Sequence, residues 1–180
     1  MIQKAFLASD DIYYKKLNIE RKYIKIWEDG IRSNGKEGSY EWWYTDAEFK
    51  NGTKIVVVFY TKNGFDVAGP SWPTVTIDIT YPDGTKDFRT IQEEKNTIID
   101  SSNKQCDVRI KNSYLRYFDG EYILHYEDEN LTYHAKMESK LPMWRPETGH
   151  IYFGNNEENF FAWFVAQPAS SIKAVLTIKN

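Results

Sequence analysis

Tyr40-Glu41-Trp42-Trp43-Tyr44-Thr45-Asp46-Ala47-Glu48-Phe49 runs through Lys50-Asn51-Gly52 into Thr53-Lys54-Ile55-Val56-Val57-Val58-Phe59-Tyr60-Thr61. Two stretches rich in aromatic and β-branched residues, joined through Asn-Gly, have the composition of a β-hairpin, because glycine supplies the positive φ of a tight connection. Strand alternation puts Glu41, Trp43, Thr45, Ala47 and Phe49 on one face and Tyr40, Trp42, Tyr44, Asp46 and Glu48 on the other. The first face is the more apolar and is the expected interior. Residues 55–60 are apolar on both faces, so the outside of that strand is expected to be covered by another element, for which the helix-like N-terminus is a candidate.

Working outward, Asn63-Gly64 closes the second strand, Pro82-Asp83-Gly84 joins strands at 74–81 and 86–91, and Asp119-Gly120 joins 114–118 to 121–126. Further strands are expected at 107–111, 130–137, 159–166 and 171–178. In the stretch 130–137, Leu131, Tyr133, Ala135 and Met137 face inward, while Thr132, His134, Lys136 and Glu138 take the solvated side. Ahead of the hairpin, Ser9-Asp10-Asp11 reads as a helix start, Tyr23-Ile24-Lys25-Ile26-Trp27 alternates like a strand, and residues 33–39 form a turn-rich loop. About ten short strands at meander spacing predict an all-β antiparallel barrel or sandwich rather than βαβ units.

The chain has 180 residues, suited to one core, and is expected to form one domain over 1–180. Its hydrophobic share of 41%, charged share of 27% and net charge of -3 exclude compositional disorder and disfavour nucleic acid as a partner. No apolar run approaches the roughly 20 residues of a membrane span, and residues 1–11 lack the features of a secretory signal, so a soluble cytoplasmic protein is expected. Without that signal, the sequons Asn51-Gly52-Thr53 and Asn130-Leu131-Thr132 carry no meaning. A single cysteine, Cys106, has no internal disulfide partner and reads as a spectator thiol of a reducing compartment. The 6 Trp, 13 Tyr and 10 Phe are the unusual feature: so many rings point to a cavity for an apolar small molecule.

Chemistry has few local signals. There is no Gly-rich phosphate loop, no GxSxG elbow, no HExxH and no pair of cysteines, and His125, His134 and His150 are scattered, so neither a cofactor nor a metal is expected. The candidate catalytic acid is Glu41, beside Trp43 on the apolar face. Desolvation there raises a carboxyl pKa and keeps it protonated, ready to donate. Alternatively Glu41 takes hydrogen bonds from backbone or Trp N–H groups and fixes one end of the sheet, or it anchors a ligand. A one-residue register change would turn Asp46 inward instead, with Trp42 and Tyr44. A second cluster, Leu141-Pro142-Met143-Trp144-Arg145-Pro146-Glu147-Thr148-Gly149-His150, reads either as a rigid connection or as a lid whose Trp144 and Arg145 touch ligand.

Trp27-Glu28-Asp29-Gly30-Ile31-Arg32, the double-Trp stretch from Tyr40 to Ala47, Gly149-His150-Ile151-Tyr152-Phe153-Gly154, and Trp163-Phe164-Val165-Ala166-Gln167-Pro168 together resemble the N-terminal half of the AttH-like and carotenoid hydratase (hydroxyneurosporene synthase) group. The resemblance implies a lipocalin-like (calycin-type) β-barrel with a short N-terminal helix or extended segment. It implies large apolar ligands, isoprenoid, polyene or lipid-like, and chemistry of the hydratase, cyclase or isomerase kind needing a shaped cavity and a proton donor. Trp42, Trp43, Tyr44, Trp144, Arg145, Tyr152 and Trp163 are then the candidate ligand-lining residues. In this group the barrel is normally paired with a second, similar one, which becomes a candidate partner. A non-catalytic carrier or sensor, and a barrel kept for protein contact, are the alternatives.

Overall fold

The computed structural model describes residues 4–33, 35, 37–62, 66–154 and 156–179; the Asn63-Gly64 turn, and Asn34 and Lys36 of the 33–39 loop, lie outside the described residues. The chain is mostly β, in antiparallel sheets. Its elements are β1 (Ala5–Leu7), α1 (Asp11–Leu17), a 3-10 turn (Ile26–Asp29), β2 (Trp42–Glu48), β3 (Lys54–Tyr60), β4 (Thr74–Thr80), β5 (Lys86–Gln92), β6 (Asp100–Ser101), β7 (Asp107–Ile110), β8 (Ser113–Phe118), β9 (Glu121–Glu127), β10 (Leu131–Ser139), β11 (His150–Phe153), β12 (Asn159–Ala162) and β13 (Ser170–Ile178). They form two compact units, Met1–Lys25 with Ser139–Ser171, and Ile26–Glu138 with Ile172–Asn180.

The larger unit holds two open sheets, β2-β3-β4-β5 and β13-β10-β9-β8-β7-β6; β2–β5 and β6–β10 follow meander order, and β13 joins by a crossover beside β10. Among the described residues hydrogen bonding closes no barrel. The hairpin expected at Asn51-Gly52 is present, with Trp43 opposite Phe59 and Ala47 opposite Ile55. Its loop has three residues rather than two: Phe49 N–H bonds the Thr53 carbonyl at 2.9 Å, and Gly52, at φ 86, occupies the left-handed position. At Asp119-Gly120 both φ values are positive, as a two-residue turn requires.

The alternation expected for β2 and β10 sets the core. Trp43, Phe59, Val75 and Ile91 form one cross-strand row; Thr45, Val57, Ile77 and Arg89 form the next; Ala47, Ile55, Ile79 and Asp87 form a third. In the other sheet Val108, Leu115, Leu124 and Ala135 make a row, and Leu131, Tyr133, Ala135 and Met137 are all buried. Each fully buried aliphatic side chain contributes about 1.5–3 kcal/mol relative to exposure. The edge strand β5 turns Asp87 and Arg89 to the inner face, where Arg89 bonds Asp87 at 2.7 Å and Asp128 at 3.2 Å. Inward charge on an edge strand discourages pairing with a further strand.

The strand expected at 23–27 is not formed. The chain instead turns through Ile26–Asp29, closed by Gly30 N–H to the Trp27 carbonyl at 3.1 Å, because Gly30 must lie against the backbone of Ser102 and Asn103. Val58, on the outer side of β3, is buried and Val56 half-buried.

In the smaller unit β11 lies between β1 and β12. Phe6, Tyr152 and Phe160 stand in register on one face, and Tyr13 of α1 packs on it, 5.8 Å from Phe6 and 5.5 Å from Tyr152 between ring centroids. The strand expected at 159–166 is regular only over Asn159–Ala162, and β1 and β11 were not expected as strands: three apolar residues in one case, and a Gly-His start to an otherwise loop-like cluster in the other, give too little alternation.

Candidate functional site

Glu41 precedes β2, its backbone locked to Thr61 by the Thr61 N–H at 2.9 Å and by donation to Thr61 Oγ1 at 2.9 Å. Its carboxylate receives the Arg32 N–H at 3.1 and 3.0 Å and the Ser33 N–H at 2.8 Å. Burial raises its pKa, while those N–H groups and Arg32 oppose the rise. The geometry matches the reading in which Glu41 fixes the end of the sheet: Glu41→Ala is expected to leave two backbone donors without their acceptor and lower stability by about 1–3 kcal/mol in denaturant unfolding.

Trp43 is buried, and its indole N–H donates to the Asp29 carbonyl at 3.1 Å. Asp46 is exposed on the outer face of β2 with the 57%-exposed Tyr44, and Trp42 is half-buried on that face, stacked on Tyr40 at 5.5 Å. Of the two acids considered on this strand, Glu41 is the desolvated one.

The acid that sequence reasoning missed is Asp29, at the end of the 3-10 turn. Its carboxylate is buried and accepts the Tyr122 hydroxyl of β9. Burial pushes its pKa up to about 7; the Tyr122 hydrogen bond opposes this and the Glu41 charge adds to it. Tyr122 is raised in turn, first by burial and then by Asp29. Asp29, Glu41, Trp43 and Tyr122 thus gather a neutralisable acid, a second carboxylate and two rings at one end of the larger unit. The signal was an acid before glycine in the Trp27-Glu28-Asp29-Gly30 run, which reads locally as nothing more than a turn.

At the other end of the same hairpin an open groove of ≈ 430 Å³ is lined by Phe49, Lys50, Asn51, Thr53, Ile55, Ala174 and Leu176. Phe49, Ile55, Ala174 and Leu176 give it apolar walls; Lys50 and Asn51 sit at its mouth as exposed polar residues. Its volume falls within the range usual for small-molecule sites.

The remaining candidates belong to the smaller unit. Trp144 and Trp163 are 52% and 40% exposed and meet edge to face at 5.8 Å. Arg145 is buried and donates to the Glu20 carbonyl, which ties the cluster to the segment after α1. Tyr152 is buried among Phe6, Tyr13, His150 and Phe160. Cys106 is wholly buried and its thiol is pushed well above its ordinary pKa by burial. No group of three metal-ligating side chains forms among the described residues. His125 and His134, separate in sequence, are direct cross-strand partners, and His134 is half-buried rather than solvated.

No known family model, curated protein or solved structure matches the chain.

Proposed function

We propose that this chain binds an apolar small molecule, as a carrier or sensor, with the molecule seated in the groove between the β2–β3 turn and β13. The observation that carries this reading is the groove itself, apolar on its walls and polar at its mouth. The sequential order of β2–β5 and of β6–β10 supports a lipocalin-like reading of the fold, and the AttH-like resemblance extends the ligand class to isoprenoids and polyenes, with a second barrel as partner. The binding reading ranks ahead of catalysis because acid and groove are far apart: Trp43 and Phe49 stand six residues apart along one strand, about 20 Å at about 3.3 Å per residue.

Titration with a fluorescent polyene fatty acid tests it. Saturable emission enhancement is expected, and Ala174→Trp, which fills the groove, should weaken binding by about tenfold or more, while Lys50→Glu should weaken it less, through the carboxylate of the probe. Unchanged binding in folded Ala174→Trp would place the ligand elsewhere.

A second reading, in which the chain protonates a double bond of such a ligand, draws on Asp29: an acid raised to about 7 is a competent donor near neutrality. Loss of polyene hydration or isomerisation in Asp29→Asn, with binding of the fatty acid intact, is the result this reading requires.

A further inference from the structure

The outer face of the six-stranded sheet carries a cluster that neither the groove nor the buried acid uses. Arg109, Tyr114, His125 and His134 form one cross-strand row, and Asp107, Arg116, Ile123 and Lys136 form the next. Both arginines gather on one ring: the guanidinium carbon of Arg109 lies 5.1 Å from the Tyr114 centroid and that of Arg116 4.9 Å. On the other side of Tyr114 lies His125, at 5.4 Å, and beyond it His134, at 5.9 Å from His125.

Arg21 and Arg89 each hold two carboxylates. Arg109 and Arg116 hold none among the described residues, and Arg116 Nε is buried with no hydrogen-bond partner. Each faces an aspartate across the strand, Asp100 opposite Arg109 and Asp107 opposite Arg116, yet forms no ion pair with it, so both planar guanidinium forks stay open to an arriving oxyanion. We propose that this face is a binding site for the phosphate or sulfate group of a small molecule, held by Arg109 and Arg116 over Tyr114, with the two histidines beside it.

The charge around the histidines supports the choice of an anion over a metal cation. His134 is held below its ordinary pKa by burial first, then by His125, Lys136 and Arg116. Acids also stand on this face. Asp100 is opposite Arg109 and Asp107 opposite Arg116, Glu127 is 3.3 Å from His125 Nε2, and Glu121 and Glu138 pair across β9 and β10 at the far end; β13, next to β10, contributes Lys173. A bound dianion offsets the influence of Lys136 and Arg116 on His134, favours its protonated form, and therefore binds more tightly as pH falls through the histidine range.

Sulfate is the probe of choice, because its charge is constant between pH 5 and 8. Titrated into the whole chain at low ionic strength and followed by NMR, it is expected to move the Tyr114, His125 and His134 resonances saturably and to raise the pKa of His134. Affinity should rise about threefold to tenfold between pH 8 and pH 5.5. Arg109→Ala and Arg116→Ala should each weaken binding about fivefold or more, and Lys104→Ala should not. Should matched chloride produce the same shifts, or should sulfate binding ignore both pH and the two arginines, the site is refuted. If either arginine variant fails to fold, the wild-type resonances and their pH dependence decide the matter alone.

Discussion

Asp29→Asn is expected to leave stability nearly unchanged below pH 4 and to raise it well above that of the wild type at pH 8. Asp29 is buried, and burial, the largest cause, lifts its pKa from 3.8 to about 7 in the folded chain. A group whose folded pKa is raised binds its proton more tightly when folded. Its contribution is fully present below the unfolded value near 4, declines as pH rises toward 7, and is gone above that. The span corresponds to roughly 4 kcal/mol. Asparagine keeps an oxygen to accept the Tyr122 hydroxyl and has no charge to desolvate, so the variant escapes the decline. Several other carboxylates have the opposite sign: Arg21 beside Asp11, and Thr85 beside Asp83, hold those acids below their ordinary value. The readout is therefore the difference between variant and wild type in urea unfolding at pH 3.5, 5, 6.5 and 8. A difference that does not grow with pH would mean that Asp29 is ionised in the folded chain, and the proton-donor reading would go with it.

The hairpin of β2 and β3 and the inward row of β10 were legible because alternation is a local property: Leu131, Tyr133, Ala135 and Met137 announce their side by spacing alone. The turns at Gly52, Gly84 and Gly120 were legible for the same reason, although loop length was not. What alternation cannot encode is where strands from distant parts of the chain come to lie. Asp29 and Tyr122 are 93 positions apart, and no feature of either segment foretells their hydrogen bond. The error at 23–27 has the same origin. Those residues alternate as a strand does, but the fit of Gly30 against Ser102 and Asn103 decides the local backbone. Glu41 was placed on the right face by alternation, and its backbone partners Arg32 and Ser33 are local, yet their direction depends on that turn. Trp144 and Arg145 were singled out in the loop-like cluster 141–150, and Tyr152 and Trp163 came only through the resemblance; the structure gives Arg145 and Tyr152 to the core of the smaller unit and leaves both tryptophans at its surface.

Gly30→Ala is expected to destabilise the larger unit and expose Cys106 to thiol reagents. A Cβ at position 30 would stand 2.7 Å from the Asn103 carbonyl carbon, 2.8 Å from the Ser102 oxygen and 3.0 Å from the Asn103 Cα. All three are backbone atoms, and the Ile31 N–H bond to the Ser102 carbonyl at 2.8 Å prevents the two segments from parting cheaply. Relief requires the 3-10 turn to withdraw, carrying Asp29 from Tyr122 and the Asp29 carbonyl from the Trp43 indole. Overpacking of this kind costs about 1–3 kcal/mol, occasionally more. Cys106 reports the withdrawal, because it is wholly buried and Asp29 is close enough to reinforce the suppression of its thiolate, so it reacts only when this region opens. At 1.4 kcal/mol per tenfold, the labelling rate should rise about fivefold to a hundredfold under native conditions. Gly84→Ala is the matched control: it faces open space at φ +85, so its strain is confined to a surface turn, and it should leave the labelling rate near that of the wild type. Equal rates in Gly30→Ala and Gly84→Ala would show that the turn holding Asp29 is not what covers Cys106.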